Sequence, residues 1–237
     1  MAFKLTWDGD GDRIYETGVD QVALYLLNGS TYGDGVAWNG ISGITESPEG
    51  ADANDIYADN IKYLSLISAE NWKGTIKGYS WPSEYNECQG EWEYNDGTNR
   101  GVFFGQQIHK KFGLVWRTIE GNDTEGDAYG YKIHLAYGLT AAPSEKDHAT
   151  KNDSPEATEF SWEINSIPAN VTKKLDMVAS DTKPVEIKPV SHIVISSRDN
   201  SELYEWIEGQ VYGSDDDPAT LPSPDDIIDK INELVNT

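Results

Sequence analysis

The stretch TEFSWEIN at residues 158–165 carries the clearest fold signal in the chain. Phe160, Trp162 and Ile164 occupy alternate positions, and polar side chains stand between them. Alternation with a period of two residues is typical of a β-strand with one apolar and one polar face. The stretch therefore predicts a strand that contributes one face to a hydrophobic core.

Further strands are predicted by alternation, or by short apolar runs bounded by turn residues. They lie at 22–27, 36–45, 72–79, 112–117, 133–137 and 192–196. Residues 28–35 and 47–55 are rich in turn-forming residues and predict loops, while Gly40 and Gly43 weaken the strand at 36–45. Short strands between turn-rich segments favour a mainly β protein, an antiparallel sandwich or barrel.

The end of the sequence predicts a C-terminal amphipathic helix. Ser223 is a favourable N-cap, and Pro224 suits the first helical position. One apolar stripe follows, formed by Ile227, Ile228, Ile231, Leu234 and Val235. Burial of such a stripe stabilises a fold by about 1.5–3 kcal/mol per side chain, so the helix is expected to pack on the rest of the protein.

A second, shorter helix is predicted at 200–208, with Gly209 as its C-terminal stop. Residues 199–237 contain 11 acidic residues and one Lys. The sequence shows neither an internal repeat nor a flexible Gly/Ser linker. We therefore expect one β domain over residues 1–198, and an acidic helical extension over 199–237 that packs on the same domain.

Composition and charge exclude several classes of protein. The chain has 41 acidic and 18 basic residues and a net charge of −23. This balance argues against a surface that grips DNA, RNA or an anionic membrane, because each needs clustered Lys and Arg. The one cysteine, Cys88, cannot form an internal disulfide. No apolar run approaches the roughly 20 residues that span a bilayer. Residues 1–15 lack the features of a signal peptide, so we expect synthesis in a reducing cytoplasm.

Motifs for catalysis and for metal or cofactor binding are scarce. The sequence has no HExxH, CxxC, Walker or GxSxG motif. The run DGDGD at 8–12 resembles the start of an EF-hand loop, but Arg13 and Val19 stand where that loop needs Gly and Glu. The four histidines show no metal-ligand spacing, and His134 and His192 are expected to be ordinary strand residues. We predict no catalytic residue, no cofactor and no metal.

Three other patterns leave alternatives open. Among 41 acidic residues, a carboxylate pair for glycoside hydrolysis can be drawn in many ways, which gives that reaction no support. Exposed Trp and Tyr side chains could stack on sugars, as in carbohydrate-binding modules, although Trp116 and Trp162 are expected in the core. The basic run His109-Lys110-Lys111 is either an exposed turn or a socket for an acidic patch on a neighbouring copy.

Nine strings, in order and at consistent spacing, resemble one protein family. They are YETGVD at 15–20, VAWNGI at 36–41, ESPEGA at 46–51, YADNIKYLSLISAE at 57–70, GQQ at 105–107, RTIEGNDTEG at 117–126, YGYKIHLAYG at 129–138, APSEK at 142–146 and NDSPEATEFSWE at 152–163. Over about residues 5–197 the sequence resembles the major tail proteins, or tail tube proteins, of long non-contractile-tailed phages and prophages of Gram-positive bacteria. The acidic C-terminal segment is also similar to the end of that family.

The resemblance implies a β-sandwich or split barrel of the tail tube type, and a structural role without catalysis. It implies homohexameric rings, stacked into a tube, through which double-stranded genomic DNA passes without tight binding. An acidic lumen would repel the DNA phosphates. The resemblance also implies that the protein is synthesised in the host bacterial cytoplasm, is located in the virion tail and does not contact a membrane. The partners that it implies are the tape measure, tail terminator and baseplate proteins. The alternative is an aromatic-rich β-sandwich carbohydrate-binding module.

The resemblance also implies where copies meet. An arm at about 1–15 is expected to reach a neighbour. The stretch at about 47–63, which matches the family's long loop and hairpin, is expected to contact another subunit, another ring or the lumen. The stretch WEYNDGTNR at 92–100 departs from the family pattern, and its NDG predicts a hairpin tip. The candidate contacts are Ser47, Pro48, Glu49, Asp52, Asp55, Tyr57, Asp59, Asn60, Lys62, Tyr63, His109, Lys110 and Lys111.

Overall fold

The computed structural model describes residues 5, 7–68, 70–148, 150, 157–176 and 184–235. Residues 1–4 and 6 of the predicted arm, and residues 152–156 of the last matching string, lie outside the described residues. The described helices are α1 (Tyr85–Cys88), α2 (Ser201–Tyr212) and α3 (Pro224–Val235). The described strands are β1 (Ile14–Asn28), β2 (Thr31–Ala37), β3 (Ile41–Glu46), β4 (Glu49–Gly50), β5 (Ala53–Ala58), β6 (Ile61–Ile67), β7 (Glu70–Asn71), β8 (Lys73–Gly78), β9 (Trp92–Tyr94), β10 (Val102–Phe104), β11 (Phe112–Asn122), β12 (Gly126–Ala141), β13 (Phe160–Ser166), β14 (Lys174–Leu175), β15 (Val185–Glu186) and β16 (His192–Ser196).

Eight strands form one antiparallel sheet in the order β2-β1-β11-β12-β13-β8-β3, and β16 also pairs with β12. The long strand β12 pairs with β16 through residues 132–136 and with β13 through residues 139–141. The sheet therefore forks along β12. Gly138 lies at the fork with a φ of 61°, and a Cβ there would collide with the carbonyl oxygen of Ile167.

The central strands bury side chains on both faces, which gives the protein two hydrophobic cores. On one face, Trp116 of β11 packs in a core with Ile76 of β8 and Trp162 of β13. On the other face, Val115 and Leu135 pack in a core with residues of α2 and α3. The fold is thus mainly β, an antiparallel sandwich with flanking helices on its outer side, which confirms the predicted fold class.

The C-terminal helix begins where the sequence predicts. The Ser223 hydroxyl accepts a hydrogen bond from the Asp226 amide at 3.2 Å, and the Asp226 carboxylate accepts one from the Ser223 amide at 2.9 Å. This reciprocal cap satisfies two backbone donors at the helix start. Ile227 and Ile228 are buried, whereas Val235, at the end of the predicted stripe, is exposed.

The C-terminal end predicted for the other helix was wrong. Helix α2 continues through Gly209 to Tyr212, and ends at Gly213, which has a φ of 68°. Burial of Val211 in the core stabilises the extra turn and outweighs the low helix propensity of Gly209. At the other end, the Asn200 side chain caps the helix by accepting from the Leu203 amide at 3.1 Å.

One predicted loop and one predicted strand were also wrong. The predicted loop 28–35 is a tight turn at 29–30, after which β2 begins, so most of that segment is strand. The predicted strand 36–45 is divided between β2 and β3 by a break at 38–40. Trp38 is buried at the break, and Gly40 has a φ of 85°, which redirects the chain.

Helix α3 should be required for stability. We expect Ile227→Asp to lower the free energy of unfolding by about 3 kcal/mol or more, because it places an unpaired charge in the core. Val235→Asp, the same change at an exposed position of the same helix, should alter it by less than about 0.5 kcal/mol. Urea unfolding followed by tryptophan fluorescence measures both. Equal effects of the two changes would contradict the packing described for α3.

The thiol of Cys88 should be unreactive in the folded protein. Cys88 is fully buried, and burial raises its pKa to about 12, whereas the thiolate is the form that reacts. At pH 8 we expect no reaction with a disulfide reagent such as DTNB until denaturant unfolds the chain. Rapid labelling of the native protein would show that the region around α1 opens readily.

Candidate functional site

Strands β5 and β6 form a hairpin whose hydrogen-bonded ladder joins only these two strands. Its turn is Asp59-Asn60, and both residues have positive φ, 51° and 64°. Two consecutive positive φ angles are the signature of the type I′ turn, whose twist matches that of a hairpin. The segment 47–63, expected to hold a long loop and a hairpin, forms the base and first half of a hairpin that runs on to Ile67. The loop predicted at 47–55 was wrong, because that stretch includes β4 and the start of β5.

The two faces of this hairpin differ in chemistry. Directly paired residues of an antiparallel ladder share a face, and the register pairs Ile56 with Leu64 and Ala58 with Ile61. With Leu66, which lies two residues from Leu64, these form one apolar face. We call Ile56, Ile61, Leu64 and Leu66 the hairpin apolar face. All four are exposed, from 37% for Leu64 to 64% for Ile61.

The opposite face of the hairpin combines an internal ion pair with exposed Tyr57 and Ile67. Asp55 accepts hydrogen bonds from Lys62 and Ser65, each at 2.7 Å. The Lys62 ammonium lowers the pKa of the Asp55 carboxyl. This face therefore contains a neutralised pair, although the chain as a whole is strongly acidic.

The base of the hairpin is tied to the main sheet. The Ser47 amide donates to the carbonyl of Lys73 at 2.8 Å, and the Lys73 ammonium contacts the Glu49 carboxylate at 2.5 Å. At the next level, the Asp52 amide donates to the Ser68 hydroxyl at 3.1 Å. These contacts fix where the hairpin leaves β3 and rejoins β8.

The structure brings most of the predicted contact residues into this one feature. Its base and strands contain Ser47, Pro48, Glu49, Asp52, Asp55, Tyr57, Asp59, Asn60, Lys62 and Tyr63. The prediction missed the hairpin apolar face, whose pattern of alternate apolar residues in YLSLI at 63–67 was available in the sequence. The three basic candidates lie in a different segment, just before β11.

Two of those three basic residues have partners within their own chain. His109 Nδ1 lies 2.8 Å from the carbonyl oxygen of Ala141, and the Lys110 ammonium lies 2.8 Å from the Glu87 carboxylate. Lys111 is exposed. A socket for an acidic neighbour remains a prediction, and Lys111 is the member of the cluster placed to serve it.

A second hairpin, β9–β10, also exposes apolar side chains. Trp92, Phe103 and Phe104 are each about half exposed. The predicted tip is confirmed: Asp96 accepts bonds from the amides of Thr98 and Asn99, at 2.9 and 2.6 Å. The bonds from Asn99 hold the pKa of the Asp96 carboxyl well below its usual range. The tip is thus ordered by its own hydrogen bonds and needs no partner to form.

The described part of the predicted arm is anchored to the turn between β11 and β12. Asp123 accepts a hydrogen bond from the Gly11 amide at 3.0 Å and forms an ion pair with Arg13 at 3.3 Å. Trp7, further toward the N-terminus, is 76% exposed. The acidic run at 8–12 therefore leads from an anchored end toward an exposed aromatic side chain.

Four of the eight tryptophans are buried in one core. These are Trp38, Trp72, Trp116 and Trp162, and their rings pack on one another. Trp92 on β9 is half exposed, and its ring plane is inclined by 66° to that of Tyr94 and by 34° to that of Phe104. Carbohydrate binding through such rings stays the alternative hypothesis.

The structure brings together two histidines that the sequence treats as unrelated. The rings of His134 and His192 lie nearly parallel to that of Trp116, with centroids 4.9 and 5.3 Å from it. Burial lowers the pKa of His134 to about 4 and also lowers that of His192. Glu46, at the end of β3, points its carboxylate toward both rings.

Comparison with known proteins adds no relative. No family model matches the chain, and no curated protein matches it.

No helix in the described part of the chain combines the length and the apolar character that crossing a lipid bilayer requires.

Proposed function

We propose that this protein is a structural subunit of a phage tail tube, which assembles with copies of itself into stacked hexameric rings and has no catalytic role. The observation that carries the proposal is the hairpin apolar face, four aliphatic side chains exposed side by side on a two-stranded ribbon. The ordered strings that resemble tail tube proteins supply the kind of assembly.

The exposed apolar face supports association because a hairpin of this kind is poorly stable alone. An isolated two-stranded hairpin in water is marginal, and it gains independent stability when a third surface covers its apolar face. Contiguous exposed apolar residues also mark interaction sites on monomeric proteins. A partner that buries Ile56, Leu64 and Leu66 would stabilise the hairpin and remove its apolar patch from water.

A second copy is the occupant we favour, because the chain carries both projecting ribbons and open strand edges. In the described residues, β2 and β3 stand at the two ends of the sheet order, and each pairs along one side. Such edges invite pairing unless they are covered. In a closed ring with head-to-tail contacts, the projecting element of each subunit binds a different surface of the next subunit. Closure of the ring leaves no strand edge unpaired.

The charge of the chain fits a tube that conducts DNA. At a net charge of −23, each subunit brings a strongly negative field to the assembly. Phosphates are repelled by such a field, so double-stranded DNA would pass along the lumen without adhering. The virion tail as the location, and the tape measure, tail terminator and baseplate proteins as partners, belong to this proposal through the resemblance alone.

Assembly should depend on the hairpin apolar face. We expect the purified wild-type protein to form rings or hollow tubes in negative-stain micrographs. The Leu66→Asp change should weaken association by at least about tenfold, because it places a charge in a contact that assembly buries. Leu66 is 52% exposed in the single chain, so its replacement should leave the monomer folded. Light scattering after size exclusion gives the mass.

A matched control is available on the other face of the hairpin. Ala53 is exposed on β5 and pairs with Ile67. Ala53→Asp adds the same charge there and should leave assembly unchanged. A wild-type protein that stays monomeric at its highest soluble concentration would contradict the proposal, and a monomer that binds polysaccharide would favour the carbohydrate-binding alternative.

Association should strengthen with salt. Copies with a charge of −23 repel one another, and salt screens this repulsion over about 10 Å at 0.1 M. We expect the assembled fraction, measured by sedimentation velocity, to rise between about 0.05 and 0.5 M NaCl, because apolar contacts survive the screening that weakens repulsion. A fall over this range would indicate that opposite charges, such as Lys111 against an acidic patch, dominate the contact instead.

A further inference from the structure

The cluster of Glu46, His134 and His192 stands out from every other group of ionisable side chains. One ligand atom from each lies within 4.8 Å of the other two, and this is the sole such group of three or more His, Cys, Asp or Glu found in the described residues. His134 lies on β12 and His192 on β16, as neighbours on one face of the central sheet, and Glu46 comes from β3 in the facing layer.

The hydrogen bonds assign the proton on His134 to its Nε2. The Thr118 hydroxyl lies 2.8 Å from the Glu16 carboxylate and 3.0 Å from His134 Nε2. A hydroxyl has one hydrogen, and a carboxylate can only accept, so Thr118 donates to Glu16. His134 Nε2–H then donates to the Thr118 oxygen. The Nδ1 atom of His134 is left with a lone pair that faces His192.

His192 contacts His134 and Glu46 through different ring nitrogens. His192 Nε2 lies 3.3 Å from His134 Nδ1, and because that Nδ1 has the lone pair, His192 Nε2–H donates to it. His192 Nδ1 lies 3.2 Å from Oε2 of Glu46. A metal ion between the two ring nitrogens would replace this proton, and the Glu46 carboxylate is placed to accept a hydrogen bond from His192 Nδ1–H in that state.

The spacing suits a metal ion. Tetrahedral zinc with nitrogen ligands at about 2.0–2.1 Å separates those ligands by about 3.3 Å, which is the distance between His134 Nδ1 and His192 Nε2. Oε1 of Glu46, 3.8 Å from His134 Nδ1, offers a third ligand of opposite charge. The three ligand atoms lie within 4.8 Å of one another, whereas two ligands of one zinc ion are at most about 4.2 Å apart, so the partly exposed Glu46 side chain closes on the ion when it binds. We propose that Glu46, His134 and His192 bind a divalent transition-metal ion, Zn²⁺ by ligand chemistry, with water in the fourth position.

The surroundings resemble the outer shell of a metal site. Trp72 Nε1 donates to Oε2 of Glu46 at 2.9 Å, which orients the carboxylate. The Thr118 contact holds the His134 ring, and hydrogen bonds of this kind fix the tautomer and raise ligand basicity. The Glu46 side chain is 36% exposed, so an ion can enter from solvent on that side. Two imidazoles and one carboxylate favour Zn²⁺ over Mg²⁺ or Ca²⁺, which prefer oxygen ligands.

The ion would join the two layers of the sandwich. Its ligands come from β3 on one side, and from β12 and β16 on the other. Metal binding to the folded state alone stabilises that state. This proposal does not depend on the assembly of the protein into tubes, and it departs from the sequence-based prediction that no metal is bound.

Titration calorimetry of the untagged, full-length protein tests the site, with ZnCl₂ added after chelator treatment and dialysis. We expect one Zn²⁺ per chain, and MgCl₂ should give no binding. His192→Gln and Glu46→Gln should each weaken Zn²⁺ binding by at least about tenfold, since each removes a ligand. His148→Gln, the same change at an exposed histidine, should leave the affinity within about twofold of the wild type.

Two further readouts keep the proposal open to refutation if one variant folds poorly. Glu46 lies at the partly exposed end of β3 and Gln has the same shape, so Glu46→Gln should keep the wild-type circular dichroism spectrum. In the wild type, Co²⁺ should give the intense visible absorption of a tetrahedral site, and Zn²⁺ should raise the thermal midpoint. Absence of Zn²⁺ binding to the wild type, undiminished binding to Glu46→Gln, or equal loss in His148→Gln would overturn the proposal.

Discussion

The fold depends on a central ribbon of strands, β1, β11 and β12, that is apolar on both faces. Because side chains alternate, consecutive residues such as Leu114 and Val115 are buried in different cores. A sheet of this kind cannot leave either face to water. One face is covered by β13, β8 and β3, and the other by α2 and α3. Two buried tyrosines of the ribbon hold the helical layer by polar bonds: Tyr25 donates to the carbonyl of Val211, and Tyr137 to that of Pro222 at 3.0 Å.

Once these two cores are complete, a further set of apolar residues is left over. The hairpin β5–β6 and the hairpin β9–β10 contribute no buried residue to either core, yet they carry aliphatic and aromatic side chains that are between 37% and 71% exposed. Exposed apolar patches on a soluble protein usually mark a surface that binds a partner. The division between a self-sufficient body and two projecting ribbons is the physical basis of the proposal that the protein assembles with copies of itself.

The sequence predicted those parts of the fold that depend on local patterns. Alternation in the stretch at 158–165 identified β13 and the burial of Trp162, and the cap at Ser223 located the start of α3 to the residue. It failed where tertiary packing outweighed local preference. Gly209 did not end α2, because Val211, two residues further on, is buried in the core. The turn-rich residues 31–35 joined a strand because they pair with β1. Glycine residues permit a turn or a helix end at these positions, but tertiary packing determines which secondary structure forms.

The two candidate sites differ in the same respect. The hairpin apolar face is encoded within 11 consecutive residues, 56–66, so a closer count of alternation would have found it. The cluster of Glu46, His134 and His192 has no such local code, since its members lie 88 and 58 positions apart and meet only because β12 pairs with β16 and β3 lies in the facing layer. Its chemistry follows from tertiary structure in two ways. Topology brings the rings together, and the Thr118 contact then fixes the tautomer of His134, which leaves its Nδ1 toward His192. A search for ligand spacing along the sequence cannot detect a site of this kind, whereas a hydrogen-bond count on the folded chain can.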